Sequence, residues 1–399
     1  MTEWRKVKLG DVCEISAGGD RPQLVSDKET DICHVPIYSN GVDNDGLYGF
    51  TDKEKIKGNS ITITARGANV GTVFYRKTAY YPIIRLLSLQ PNEELVNSRY
   101  LYYLIKDKTF LSTGSAQPQI TVPNISKYVI EYDPDVVVQR RIAEVLSRYD
   151  ALIENYQRQI KLLEEAAQRL YKEWFVDLRF PGHQSTPIIN NLPQGWQKKT
   201  VEECLIFHGN GGWGKDSPTG KYEHPGKVIR GTDIEDIKTG RYNDLPLRFH
   251  TDNDMKKRTL KKDDLVFELS NGNINNIGRC LFIDEIILKN TGDNTICASF
   301  CKLLRPIDRF HALMLYWEIQ DMQTSGRMLP LKKQGANGIN NFDFDGFLSH
   351  VLLIPSDESL ISPLEVITKN IGRTLGEIAL LSEARDRLLP KLMNAEIVV

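Results

Sequence analysis

The chain is written twice, and this constrains its fold more than any single motif does. Trp4-Arg5-Lys6-Val7-Lys8-Leu9 is answered 192 residues later by Trp196-Gln197-Lys198-Lys199-Thr200-Val201, and at the same offset residues 36–42 meet residues 228–234. The offset grows to 205 where residues 57–61 meet residues 262–266, to 207 at Gly71 and Gly278, and to 218 in two heptad-patterned closing stretches. Extra residues in the second copy therefore fall between matched elements, where loop insertions are tolerated.

Each copy opens with a tryptophan-led strand and runs through short β-branched and aromatic segments bounded by turn residues. Ile61-Thr62-Ile63-Thr64-Ala65, Gly71-Thr72-Val73-Phe74-Tyr75 and Tyr128-Val129-Ile130-Glu131-Tyr132 read as strands in the first copy. Leu265-Val266-Phe267, Cys280-Leu281-Phe282-Ile283 and His350-Val351-Leu352-Leu353-Ile354 do so in the second. After Asp133-Pro134-Asp135 the pattern switches: Ile142, Leu146, Tyr149, Ile153, Tyr156, Ile160, Leu163, Ala167, Leu170 and Trp174 alternate steps of four and three, the seam of a coiled coil. The predicted helix is about 50 Å long and stops at Phe180-Pro181-Gly182. A second seam carries Leu360, Leu364, Ile367, Ile371, Ile378, Leu381, Leu388 and Leu392, interrupted at Thr374 and Arg385.

The expected architecture is therefore α/β, in the mixed α+β, strand-rich sense: globular domains in tandem repeat, separated by two long antiparallel coiled-coil helices. The boundaries are residues 1–133 for the first domain, 134–182 for the first helix, 183–356 for the second domain and 357–399 for the second helix. A globular domain would sit at each end of a rod. Such a pseudo-two-fold chain suits a nearly symmetric target, of which duplex DNA is the commonest.

Lys+Arg at 51 against Asp+Glu at 52 provides no global basic field, so any nucleic-acid grip needs local cation clusters or a partner that supplies phosphate contacts. Six cysteines without a CxxC pair favour free buried thiols in a reducing cytosol, and the Cys297/Cys301 spacing reads as one face of a strand. No secretory h-region and no apolar run of the ~18 residues a membrane span needs are present, which predicts a cytoplasmic protein without a membrane partner.

Two pairs of polar loops recur at equivalent places. Arg66 and Asn69 in the first copy, and Asn271 and Asn273 in the second, lie between predicted strands. Gly and Asn there need no role beyond a turn, yet Arg pairs with guanine and Asn with adenine through two hydrogen bonds each. Later come Ser115, Gln117, Gln119 and Thr121, matched by Lys332, Lys333, Asn337 and Asn340, which read either as solvated loops or as DNA contacts. Lys256, Lys257 and Arg258 form a candidate phosphate clamp, although a charge run is often only a solvated face. The Gly209-Asn210-Gly211-Gly212-Trp213-Gly214-Lys215-Asp216 loop nearly fits a phosphate cradle, but Asp216 stands where a hydroxyl must ligate magnesium. No catalytic constellation is present: there is no HExxH, no GxSxG, and the seven histidines lack metal-ligand spacing.

Three strings carry a resemblance to a known family: Trp4 followed by Leu9-Gly10-Asp11-Val12; Gln139-Arg140-Arg141-Ile142-Ala143-Glu144-Val145-Leu146 leading to Trp174-Phe175-Val176-Asp177; and Arg385-Asp386-Arg387-Leu388-Leu389-Pro390-Lys391-Leu392-Met393. Their order over essentially the whole chain resembles the specificity subunits of type I restriction-modification systems, with Ala395 where the family commonly has glycine. The resemblance implies a non-catalytic subunit whose two target-recognition domains each read half of a bipartite DNA sequence, with the helices as a ruler. It also implies two methyltransferase subunits holding S-adenosylmethionine and two translocase-nuclease subunits using ATP and Mg2+, with no cofactor or metal in this chain. The alternatives are a two-domain coiled-coil scaffold that does not act on DNA, and the specificity subunit of a methylation-only system.

Overall fold

A computed structural model describes residues 4–67, 69–110, 119–242, 245–335 and 338–397. It divides into two compact units, Met1–Ala151 with Ala384–Val399, and Leu152–Glu383.

In the first unit a four-stranded antiparallel sheet has the order Cys13–Ala17, Leu87–Pro91, Ser60–Ile63, Val73–Arg76. A three-stranded sheet has the order Leu47–Thr51, Val35–Tyr38, Tyr81–Pro82, its last pair parallel. The opening strand Arg5–Lys8 pairs antiparallel with Val129–Tyr132. The second unit repeats all three: Leu205–Asn210, Cys301–Pro306, Leu265–Glu268, Cys280–Phe282; then Leu247–His250, His224–Ile229, Ile296–Cys297, again ending in a parallel pair; then Trp196–Thr200 against Val351–Pro355.

Strand pairing corrects the repeat register by one residue in two places. Ile37 faces Tyr81 as Val228 faces Ile296, so the offset there is 191 and not 192. Ile61 faces Tyr75 as Leu265 faces Phe282, across the hairpin whose glycines stand 207 apart, so the offset there is 204 and not 205, in line with Asn59 and Asp263, both at positive φ (55° and 70°). A one-residue slip would turn every buried side chain of a strand outward, so hydrogen-bond pairing decides equivalence where residue identity is weak. Gly71 and Gly278, at φ 94° and 85°, keep the expected offset of 207 because each closes the same hairpin in a conformation that suits glycine.

The cysteine reading also needs correction. Cys297 ends one strand and Cys301 begins another in a different sheet, with a tight turn at residues 298–300 between them. All six cysteines are buried and free, and burial pushes the Cys13, Cys280 and Cys297 thiols up to about 12, which keeps them protonated and unreactive.

The first long helix runs Val136–Tyr171 and continues as a π turn, Lys172–Val176. It starts where Pro134 disfavours helix before it and the Asp135 carboxylate accepts from the Val137 N–H at 2.8 Å. It stops at Leu178, at φ 59°, two residues before the expected breaker. The second long helix, Ser362–Met393, follows a 3-10 turn, Glu358–Ile361, that includes Leu360.

The seam residues are shared between the units' cores. Ile142 and Leu146 join Leu389, Leu392 and Met393, with Leu388 alongside, in the first unit. Ile153 and Ile160 pack with Leu375 and Ile378 in the second, flanked by Tyr156, Ile371 and Leu381. Farther along the second unit, Ala167 and Tyr171 enter a larger core, with Leu170 and Trp174 against it. Tyr149 and Leu163 are half-buried. The two seam interruptions have physical explanations. Arg385 pairs with Asp150 at 2.7 Å, and the Thr374 hydroxyl donates to the Asn370 carbonyl of its own helix at 2.8 Å.

Candidate nucleic-acid interface

In the first unit the hairpin Ser60–Ile63/Val73–Arg76 presents the loop predicted to read bases. Its turn is closed by Gly71 N–H to the Thr64 carbonyl (2.8 Å) and Thr72 N–H to the Thr64 hydroxyl (2.9 Å). Arg66 and Asn69 stay exposed at its tip.

The structure brings the second predicted loop onto the first. Arg66 and Gln119 form an antiparallel bridge, the Ile120 N–H donates to the Ala65 carbonyl (3.0 Å), and the Arg66 guanidinium donates to the Gln119 amide oxygen (3.0 Å). Thr121 serves the fold: it caps the helix Val122–Ser126, its hydroxyl accepting from Asn124 N–H. Ser115 and Gln117 lie outside the described residues.

The second unit builds the same convergence with more strands. Ser270–Asn271 pairs with Asn340–Phe342, which pairs with Lys332–Lys333. Ser270 faces Asn341 as Arg66 faces Gln119, and Asp343 caps the helix Phe344–Leu348 as Thr121 caps its own. Several of the predicted amides are occupied in holding the loops. Asn271 donates to Glu268 (2.7 Å) and accepts from Asn273 N–H (2.7 Å), the Asn273 side chain accepts from Asn275 N–H (3.0 Å), and Asn340 donates to the Gly272 carbonyl (2.9 Å). Asn337 lies outside the described residues.

Beneath these loops Glu268, buried, takes Arg279 at 2.7 Å, and Arg279 also donates to the Gly231 carbonyl at 2.9 Å. The two lysines differ. Lys333 pairs with Asp343 at 2.9 Å, whereas Lys332 lies over the Gln323 amide oxygen at 3.2 Å and burial lowers its pKa.

The predicted phosphate clamp lies on the helix Asp252–Arg258, where its cations already have partners four residues back: Lys256 with Asp252 and Arg258 with Asp254, both at 2.6 Å. Lys257 is exposed and forms no ion pair among the described residues. The Lys256–Asp252 pair is exposed and screened by solvent, so an incoming phosphate can displace the carboxylate from Lys256 at small cost.

The Gly209 loop cannot cradle a phosphate. The amides of Gly211 and Gly212 donate to the carbonyls of Cys301 and Cys297 (both 2.9 Å), Asp216 pairs with Arg248, and no helix follows. Among the described residues no group of three or more His, Cys, Asp or Glu could hold a metal, and no helix is long and apolar enough to cross a membrane.

Sequence reasoning missed Asn40 as a positioning residue. Its amide donates to the Ile84 carbonyl at 2.5 Å and accepts from Ala65 N–H at 2.7 Å, tying the base of the Arg66 loop to a third segment. Its place inside the repeated segment 36–42 was visible, but the bond spans 44 residues and leaves no local pattern.

Comparison with known proteins bears out the family resemblance. A model of the type I restriction modification DNA specificity domain matches residues 1–165. The type I restriction enzyme MjaIX specificity subunit of Methanocaldococcus jannaschii is 27% identical over 367 residues, 85% of this chain and 78% of that protein. A putative type I specificity subunit of Mycoplasma pneumoniae, S.MpnORF89P, is 32% identical over 140 residues, 35% of this chain and 41% of its own. The crystal structure of a type I restriction-modification S subunit from M. genitalium shares the fold, with TM-score 0.55 at 15% identity, covering 98% of this chain and 96% of that one.

Proposed function

We propose that this chain, a relative of the type I restriction-modification specificity subunits over most of its length, is the DNA-reading subunit of such a system and performs no chemistry itself. One observation carries the reading. Each copy of a duplicated fold brings two polar loops, distant in sequence, to the same place, and the two copies put different side chains there: Arg66 and Gln119 in one, Ser270, Asn271, Asn340 and Asn341 in the other. A pair of like scaffolds with unlike contact residues is what reading two different half-sites requires.

In this reading, residues 1–133 and 183–356 are the two target-recognition domains. The long helices pair as an antiparallel coiled-coil spacer that sets the unspecified gap. Two methyltransferase subunits supply S-adenosylmethionine chemistry and two translocase-nuclease subunits supply ATP- and Mg2+-dependent steps. Adenine methylation requires the base to leave the stack, a step that falls to the methyltransferase while this chain holds register. The formal charge of −1 fits a division in which partners provide most phosphate contacts.

The test is to purify this chain with its methyltransferase and titrate DNA binding against salt. Retention of a defined duplex, weakening with salt and absent for the methyltransferase alone, is expected. A stable protein complex that retains no DNA would contradict the proposal and favour a scaffold.

The spacer makes a separate prediction. Seven residues inserted near 157, with seven at the matching level of the second long helix, add about 10 Å, or about three base pairs. The methylated motif is expected to gain that gap while both half-sites keep their letters. Changed letters would show that the helices do more than measure.

A further inference from the structure

The segment that Asn40 ties to the Arg66 loop is a turn repeated in both units. In the first unit it connects the parallel strand Tyr81–Pro82 to Leu87–Pro91, and in the second it connects Ile296–Cys297 to Cys301–Pro306. Ile83 N–H donates to the Tyr38 carbonyl (2.9 Å) as Ala298 N–H donates to that of Ile229 (2.8 Å). Gly18 and Gly211 lie equivalently against the two turns. A Cβ on Gly18 would fall 2.7 Å from the Pro82 carbonyl carbon, and one on Gly211 would fall 2.1 Å from the Ala298 carbonyl oxygen. The packing under the turn is thus duplicated, whereas its tip is not: Ile84-Arg85 in one copy corresponds to Ser299-Phe300 in the other.

The first tip is held in an unusual shape. Ile84 and Arg85 have φ of 52° and 60°, a region that β-branched residues seldom enter. The turn is pinned by Ile84 N–H to the Gly19 carbonyl (2.9 Å), Arg85 N–H to that of Gly18 (3.0 Å), and the Asn40 amide on the Ile84 carbonyl. Ile84 is 55% exposed, and the exposed Arg85 side chain forms no ion pair or hydrogen bond among the described residues. A turn held by several hydrogen bonds therefore carries a guanidinium without a partner among the described residues, on a segment that the Asn40 amide links to the Ala65 N–H next to Arg66. In the second unit Phe300, 60% exposed, lines with Trp213, Arg230, Asn271 and Ile339 a recess of about 540 Å³. There the Phe300 carbonyl accepts from Leu269 N–H (2.9 Å), so this tip too is fastened to the loop that carries Asn271.

We propose that this duplicated turn is a third reading element: Arg85 contacts a guanine edge in one half-site, and Phe300 packs on a thymine methyl in the other. The proposal rests on the DNA-reading function above and names residues that function leaves open. A guanidinium can hold guanine O6 and N7 through two hydrogen bonds, and an apolar side chain recognises the thymine methyl. Strained, over-determined backbone at an exposed tip fits a contact that must be presented without reorganisation.

The test maps N6-methyladenine made by the complex of the full chain with its methyltransferase, comparing wild type with Arg85→Ala, Arg85→Lys and Phe300→Ala, each checked for an unchanged melting temperature. Arg85→Ala is expected to relax one position of one half-site, with discrimination there falling about tenfold or more. Arg85→Lys, which keeps the charge but loses the planar fork, is expected to relax the same position. Phe300→Ala should act only on the other half-site, and the gap should not change. An unchanged motif with uniformly weaker methylation would mean phosphate contact and overturn the proposal, as would no change at all. A wild-type complex that yields no motif would instead remove the function on which the proposal rests.

Discussion

Arg327→Leu is expected to lower the stability of the second unit by about 3 kcal/mol, the low end for breaking a buried ion pair because this arginine is partly exposed. Arg327 holds Glu318 at 2.8 Å and Asp321 at 2.5 Å, and both carboxylates are almost fully buried. Glu318 also receives the Tyr171 hydroxyl (2.9 Å) and contacts His350 Nε2 (2.7 Å). One carboxylate thus joins the first long helix, the helix Arg309–Thr324 and the residue leading into the strand Val351–Pro355, all within one unit. Removing the arginine strands two negative charges, and chemical denaturation of the variant should show the loss directly. Under the proposed division of half-sites the loss predicts a functional signature as well: at growth temperature the half-site assigned to the second unit should weaken before the other.

The same cluster sets a pH dependence. Burial pushes the Glu318 carboxyl up, but hydrogen bonds and charge from His350 and Arg327 outweigh it and hold the group below the ordinary glutamate value. Its folded pKa is below its unfolded one, so its contribution is present above about pH 4.5 and is lost as pH falls through the folded value. Glu318→Gln should therefore lack part of the acid-side fall in stability that the wild type shows below pH 4.5. Parallel wild-type and variant curves across that window would refute the assignment.

Trp317→Ala is expected to cost about 3–5 kcal/mol, a large share of the ~5–15 kcal/mol that holds a typical domain together. Trp317 is fully buried, edge-on to Tyr316 with ring centres 5.0 Å apart, and its indole N–H donates to the Thr368 hydroxyl at 3.2 Å. The Thr368 hydroxyl itself donates to Leu364, so the penalty comes from the cavity and not from an orphaned polar group. Trp317→Phe should recover much of the loss in a urea titration. Equal losses for Phe and Ala would mean that the indole N–H, and not volume, is what the core needs.

Much of this fold was legible because its signals are local and periodic. The four-and-three spacing from Ile142 to Trp174 marks the first long helix, and Gly71 and Gly278 mark the same hairpin turn twice. The convergence of the loops was not legible. Arg66 meets Gln119 across 53 residues, through a single bridge that imposes no alternation on either segment. The turn at 298–300 was hidden because a two-residue strand has no period, so Cys297 and Cys301 looked like one element. The engagement of the clamp cations was readable: Asp252 with Lys256 and Asp254 with Arg258 stand four apart on a helix, a spacing that pairs opposite charges. The seam interruption at Arg385 could be understood only with Asp150 in place, 235 residues away.

If this chain alone supplies sequence specificity, its presence must decide where methyl groups appear. That is tested by expressing the methyltransferase with and without this chain in a host free of adenine methylation and mapping N6-methyladenine by single-molecule sequencing. The expected result is one motif of two unlike half-sites at a fixed gap, appearing only when this chain is present. A motif that persists without the chain, or a stable complex that leaves the genome unmethylated, would contradict it.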